Sequence, residues 1–354
     1  MKFLALVNRV ILPLKRTQDA SKFSRILVVS NSGLGDTLLS TPAIVSLRMA
    51  FPGLHITFLV NAKMYPLFKR LDFIDDYLLY YKGVWAQIKL IKALRKKNID
   101  TVFLFHSNGP EDIFFSILSG AKNILKMTYS QHHKFSKLFL NRHAEHSKHN
   151  IDNKLDMVRF FGVEDVVLEM QVPEHLKNCS GYIEKHKKYT YIGLQVGTQD
   201  LYKMWPIEKF IHLVNIASDK YLNLRFVLFG STRIEVELSK KLATTVKKAQ
   251  VIINICGKTA IDELPVAVND MDVIVTGDTG ILHLAITLKK RTISLFGPTN
   301  HREYGPYQDL ELHSVIQVDG SFVNAAPKKK RGQEGMDLIE IDAVLDELDK
   351  IVGG

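Results

Sequence analysis

Three short stretches hold the residue types and spacings that could do chemistry. In "VTGDTGILHLA", residues 275–285, Asp278, Thr279, Gly280 and His283 crowd the point where an apolar run turns into a helix. Such a turn opens the helix with unpaired N–H groups and the positive end of its dipole, so it attracts a diphosphate. His283 either points into a cleft there or is a satisfied core histidine. In "NSGLGDTLLSTPA", residues 31–43, Gly33 and Gly35 permit a tight turn and a close backbone approach. Asp36 beside them either caps the following helix or, in a cleft, takes a proton from a hydroxyl. In "GTQDLYKMWP", residues 197–206, Thr198 and Gln199 can donate to phosphate oxygens and Lys203 adds a mobile positive charge. Trp205 and Pro206 anchor the next helix; without a ligand, Lys203 is simply a solvated loop lysine. A fourth loop, residues 294–307, is punctuated by Gly and Pro and can wall a sugar or nucleotide pocket.

Several better-known patterns fail on inspection. A dinucleotide fingerprint would need a glycine where Leu38 stands and an acid where Asn61 stands. "CGKT", residues 256–259, would place the first glycine of a phosphate loop on Ile252. Asp270 and Asp272 read as a helix end and a strand start rather than a metal pair. The histidine-rich stretch from His132 to His149 lacks regular ligand spacing and reads as a mobile basic loop facing an anionic substrate. Cys179 and Cys256 form neither a disulfide framework nor a metal motif, which fits a reducing, cytoplasmic compartment.

The candidate loops need strands to hold them. Short, continuous apolar runs at residues 25–30, 55–60, 101–105, 123–127 and 166–170 suit strands buried on both faces of a parallel sheet. Runs at 191–196, 225–230, 251–255, 272–277 and 292–297 repeat the plan. The pattern predicts two α/β domains joined near residues 171–181, where Pro, Asn, Ser and Gly cluster. Two facing sheets suit a two-substrate reaction, because ligands collect beyond the carboxyl ends of parallel strands.

Composition narrows the partners. The chain has 354 residues, 46% of them hydrophobic, and a formal charge of +10, enough for two cores and favourable to anionic partners. No recognition helix or aromatic RNA motif supports nucleic acid. Residues 1–24 are too short and interrupted to span a bilayer, yet Phe3, Val7, Val10 and Leu14 share a helical face suited to lying on a membrane or capping the protein.

In combination, the stretches 26–60, 149–163, 203–214 and 275–307 resemble, in order, glycosyltransferase family 9, the lipopolysaccharide heptosyltransferases. The resemblance implies a GT-B fold, in which two Rossmann-like domains with parallel sheets face a central cleft. It divides the chain into an extension (1–24), an acceptor domain (25–175), a nucleotide-sugar domain (176–335) and a final segment (336–354) whose helix crosses back to the first domain. It further implies an inverting transfer of heptose from ADP-heptose to a phosphorylated, lipid-linked glycan on the inner face of the cytoplasmic membrane, without cofactor or metal. By that likeness Asp36 is the general base, and Thr198, Gln199 and Lys203 contact the diphosphate. Asp278, Thr279 and Gly280 touch sugar and phosphates, and Glu235 holds the ribose. The same fold also serves other nucleotide-sugar transferases, epimerases and binding proteins that have lost catalysis.

Overall fold

The computed structural model describes residues 23–106, 110–128, 140–143, 148–318 and 335–353. They build two six-stranded parallel sheets. The first comprises β1 (Arg25–Ser30), β2 (His55–Asn61), β3 (Asp76–Tyr80), β4 (Thr101–His106), β5 (Asn123–Thr128) and β6 (Leu140–His143), in the order β3-β2-β1-β4-β5-β6. The second comprises β7 (Thr190–Gln195), β8 (Leu224–Phe229), β9 (Ile252–Asn254), β10 (Val273–Gly277), β11 (Arg291–Phe296) and β12 (His313–Gln317), in the order β12-β11-β10-β7-β8-β9. The two orders are the same, each a doubly wound sheet that reverses direction between its first and fourth strands.

Period-two alternation explains why the apolar runs are continuous. Leu27 and Val29 face an outer cluster confined to the first domain, whereas Ile26 and Val28 face the opposite way. The cluster on that second side also takes in Tyr191, Val227, Val268, Ile274 and Leu282, so one apolar core runs through both domains. A third cluster, around Ile192, Leu194, Phe226 and Val273, belongs to the second domain alone.

Four helices frame the junction and the second sheet: α1 (Leu34–Leu38) after β1, α2 (Thr41–Ala50) behind it, and, in the second domain, α6 (Ile207–Lys220) and α8 (Gly280–Thr287). Between them in sequence come α3 (Val84–Lys96), α4 (Pro110–Leu118), α5 (Asn150–Arg159) and α7 (Arg233–Thr245); α9 (Ile341–Val352) ends the fold. No helix among the described residues is long and apolar enough to cross a membrane. The domains meet where α1 packs on α8. A Cβ on Gly35 would lie 2.6 Å from His283 Cδ2, and one on Gly280 would lie 2.9 Å from Leu34 Cβ. Nothing lies within 4 Å of a Cβ built on Gly33, so the close approach demands glycine at 35 and 280 but not at 33.

Three expectations are corrected. Residues 166–170 form no strand: the backbone N–H groups of Val167, Met170 and Gln171 are taken by Ser46 Oγ, Gln308 Oε1 and Thr41 Oγ1 in place of a ladder. The sheets instead gain β3, β6 and β12, all of them edge strands, and β6 lies within the stretch read as a loop from His132 to His149. The final helix does not cross back to the first domain. α9 packs on α6, β11 and β12, burying Val344, Leu345 and Leu348 in the second domain's own cluster. Its approach is fixed by Trp205 Nε1, which donates to Ile339 O at 3.0 Å, and by Lys209 Nζ, which donates to Asp337 O and Ile339 O. The segment 1–22, most of the histidine-rich stretch and residues 319–334 lie outside the described residues.

The α1–α8 contact yields a stability test. Gly280→Ala gains at most ~1 kcal/mol of helix propensity but forces the two helices apart, which costs about 1–3 kcal/mol. Overpacking therefore wins, and denaturant unfolding will show a destabilised protein. Gly53→Ala, in open space, is the control and will lie within about 0.5 kcal/mol of wild type. An unchanged Gly280→Ala would mean that the helices are not in contact.

Candidate active site

The reversal points of both sheets present their loops to the same place. After β1 the chain turns through Ser32 and Gly33 into α1, which carries Asp36 in its first turn. Asp36 is not the helix cap: Gly33 holds that position and no side chain caps the helix. Ser32 Oγ donates to Asp36 Oδ2 at 2.7 Å, and His106 Nδ1 stands 3.2 Å from Asp36 Oδ1. His106 ends β4, where a bulge pairs Ser30 with His106 and skips Phe105, and bulges of this kind re-aim side chains. The Asp36 side chain keeps 30% exposure, so it faces solvent from within a recess. Burial raises its pKa, but His106, Lys154, the Ser32 hydroxyl and His283 outweigh this and hold the carboxyl below its ordinary value.

Lys154, on α5, is buried and donates to Asn150 Oδ1 one turn earlier. Burial pushes its ammonium down to about 8, against the pull of Asp36. Its charge in turn helps to lower the Asp36 pKa.

The second domain supplies the opposite wall. Lys203, in a short helical turn after β7, sets Nζ 2.7 Å from Asp278 Oδ2 at the end of β10; the side chains are 19% and 5% exposed. Burial pushes the Asp278 carboxyl up, but Lys203 and His283 outweigh it and hold the carboxyl far below the ordinary range. Burial likewise opposes the charge on Lys203, and Asp278 more than restores it. Thr279 is the N-cap of α8, yet its hydroxyl pairs with Thr276 Oγ1 at 3.0 Å and caps nothing, which leaves the first N–H groups of the helix without a side-chain partner. His283, on the next turn, is buried with Nε2 3.8 Å from Asp278 Oδ1, and its ring lies against Gly35 of the other domain. The imidazole thus interacts with a carboxylate from each domain and helps to hold both below their ordinary pKa.

Of the residues singled out by sequence, Gly35, Asp36, Lys203, Asp278, Thr279, Gly280 and His283 converge here. Thr198 and Gln199 occupy the loop leading to Lys203, with Thr198 Oγ1 accepting from Asp200 N. Glu235 does not present a free carboxylate. It sits in the first turn of α7, buried, where Oε2 accepts from the backbone of Ser231 and Thr232 and Oε1 accepts from Gln195 Nε2. The loop at 294–307 straps the domains together: His149 Nε2 donates to Gly305 O, Tyr307 stacks on His149 at 4.4 Å, and its hydroxyl donates to Asp152. Because His149 Nδ1 accepts from Ile151 N, and burial pushes its pKa to about 3, the imidazole in this strap is neutral. Asp270 and Asp272 hold backbone N–H groups of Gly181, Ile183 and Tyr191, and no cluster suited to a metal occurs among the described residues.

Sequence reasoning missed Ser32, His106 and Lys154. The first two were within sight, one inside a chosen loop and the other at the end of a chosen strand. Lys154 lies inside the family-like stretch 149–163 but was not singled out, since a lysine four residues after an asparagine on a helix usually reads as a solvated face.

The whole arrangement has relatives. The model of glycosyltransferase family 9 (heptosyltransferase) matches residues 87–331, more than half of the chain. The chain is 25% identical over 303 residues to lipooligosaccharide heptosyltransferase 2 of Campylobacter jejuni subsp. jejuni serotype O:2, covering 83% of this chain and 87% of that one. It is 22% identical to lipopolysaccharide heptosyltransferase 3 of Escherichia coli, with 90% and 95% covered. Among solved structures, the glycosyl transferase family 9 protein of Veillonella parvula superposes with a TM-score of 0.76 at 23% identity, over 94% of this chain and 98% of that one. E. coli ADP-heptose LPS heptosyltransferase II superposes with a TM-score of 0.72 at 19% identity, over 92% and 98%. These likenesses establish the GT-B fold.

The Lys203–Asp278 pair can be tested without a substrate. Lys203→Met strands a buried carboxylate and will cost about 3–5 kcal/mol, whereas adding Asp278→Asn will recover most of the loss. In wild type the Asp278 contribution, from a depressed pKa, is present at neutral pH and fades as pH falls through the carboxylate's folded titration. The Lys203 contribution, from a raised pKa, fades only as pH climbs past the lysine's. Equal stabilities for single and double variants in chemical denaturation would disprove the pairing.

Proposed function

The chain belongs to glycosyltransferase family 9, the heptosyltransferases, and on that premise we propose that it moves heptose from ADP-heptose to a lipopolysaccharide core acceptor, inverting the anomeric centre. One observation carries the mechanism: Asp36 from the first domain and Lys203, Asp278 and the start of α8 from the second converge on His283. The acceptor oxygen bonds to the anomeric carbon while the bond from that carbon to the diphosphate oxygen breaks. The hydroxyl proton passes to Asp36, and the bonding pair leaves with ADP.

Each group has a physical task in this reading. Ser32 and His106 aim the Asp36 carboxylate, and Lys154 keeps it ionised. Lys203 and the N–H groups of α8 meet negative charge as it grows on the departing diphosphate, so no metal is called upon. Thr198 and Gln199 extend that contact from their loop. Glu235 shapes the nucleotide side by fixing the turn between β8 and α7, and the acceptor site left on its carboxylate is available to a ribose hydroxyl. The basic chain suits a phosphorylated, lipid-linked acceptor at the inner face of the cytoplasmic membrane.

Two outcomes follow. Asp36→Asn will bind the donor as wild type does in thermal-shift titration, with ADP-heptose stabilising more than other nucleotide-sugars, while transfer drops by about 10²–10⁴-fold. Full transfer by that variant would retire the base. Lys154→Met removes a charge that lowers the Asp36 pKa, so the acid limb of the kcat/KM profile will move to higher pH. A limb that stays in place would show that Lys154 serves packing alone.

A further inference from the structure

One helix face in the first domain is unlike the rest of the surface. From Tyr81 to Asn98 the chain has no acidic residue, yet it holds Lys82, Lys89, Lys92, Arg95, Lys96 and Lys97. Along α3 the buried side is Leu90 and Leu94, locked into the first domain's outer cluster. At 100° per residue, Val84, Ile88, Lys92, Trp85, Lys96 and Lys89 fall together on the opposite side. Trp85 is 79% exposed, Val84 74%, Tyr81 55% and Ile88 37%. Lys82, Lys89, Lys92 and Lys96 are exposed and form no ion pair among the described residues, whereas Lys97 is held by Asp76. A soluble surface gains nothing from a projecting tryptophan and valine. A lipid surface does, since aromatic and aliphatic groups enter the headgroup boundary while lysines reach anionic phosphates.

The position is also informative. Tyr81 and Lys82 follow directly on the carboxyl end of β3, and Gly83, with φ of 108°, makes the turn that points the start of α3 outward. In a parallel sheet this is the end from which α1 and Asp36 also emerge.

We propose that the exposed face of α3, with Tyr81 and Lys82, is the surface by which this protein docks on an anionic lipid bilayer, with Trp85 and Val84 inserted at the interface. The occupant is a bilayer, because the surplus of unpaired cations with no acid between them complements a sheet of anionic headgroups. The inference rests on the lipid-linked acceptor of the proposed function for its purpose, not for its physics. It places the membrane contact in the acceptor domain's described surface, independently of residues 1–22.

The chain has two tryptophans, and Trp205 is 2% exposed with its N–H already bonded to Ile339 O, so a change in emission on vesicle binding reports Trp85. The full chain mixed with phosphatidylglycerol–phosphatidylcholine vesicles will co-sediment and show a blue shift quenched by brominated lipid. Pure phosphatidylcholine will give neither. Trp85→Phe will still bind but lose the shift, and each of Lys82→Gln, Lys89→Gln, Lys92→Gln and Lys96→Gln will weaken binding about fivefold. Transfer to a delipidated, water-soluble acceptor will be unchanged in all of these, and their unaltered melting will show that they fold. Binding without a Trp85 shift would overturn the proposal by assigning the membrane to another segment. So would no binding at all, or a blue shift that depends on protein concentration without vesicles, which would make the face a contact between copies. Vesicle binding in a protein that transfers to no acceptor would sink the proposed function and leave the docking surface standing.

Discussion

The close approach of α1 and α8 governs the molecule. Each helix starts at the carboxyl end of a strand beside the point where its sheet reverses, and each can reach the other only because Gly35 and Gly280 lack a Cβ. That single contact turns two separate strand-end crevices into one two-walled site. It also explains the shared apolar cluster, since helices so close must bury their flanks, and Leu282 and Ile281 continue the core begun by Leu38 and Leu39. Any opening of the domains has to part this contact and also the strap formed by His149, Gly305 and Tyr307. Access to the site and stability at the junction are therefore coupled.

The two carboxylates at the junction have opposite surroundings. Asp278 is fully enclosed, and its charge survives because Lys203 faces it directly. Asp36 is open to solvent on one side and is supported by a hydroxyl, two imidazoles and a buried lysine. A depressed pKa makes Asp36 a weak base towards a resting hydroxyl. On the proposed reaction it accepts a proton only once bond formation has made that hydroxyl acidic, which ties proton transfer to the chemical step and leaves the carboxylate ionised across the neutral range.

Central strands were legible in the sequence because burial on both faces writes an uninterrupted apolar run. The edge strands β3, β6 and β12 were not, since a strand with one partner keeps polar residues such as Asp76 and His313. The run at 166–170 misled for the converse reason. It is apolar enough for a strand, but its N–H groups are claimed by side chains from both domains, which no local pattern records. The site divides in the same way. Loops carrying Asp36, Lys203 and Asp278 announce themselves by small residues beside acids and cations after strands. Lys154 and His106 reach Asp36 through tertiary packing and a bulge, whereas the capping box from Thr232 to Glu235, which fixes Glu235 at its turn, was there to be read.

Lys203 raises a question that the geometry itself answers. On the proposed reaction its ammonium, paired with Asp278, contributes little net charge to the resting site, so attraction for the donor's diphosphate has to come from elsewhere. The start of α8 provides it, because the Thr279 hydroxyl is turned to Thr276 and leaves the helix N–H groups to an anion. Asp278 then acts as an anchor that fixes the direction of Lys203 while two of its three N–H bonds stay free for phosphate oxygens. A cation held by a buried carboxylate is also already desolvated before a phosphate arrives. As charge accumulates on the leaving oxygen, the balance of Lys203's attraction moves from Asp278 towards the phosphate. On the proposed reaction, that shift favours the transition state over the bound donor, and differential stabilisation of that kind is what accelerates a chemical step.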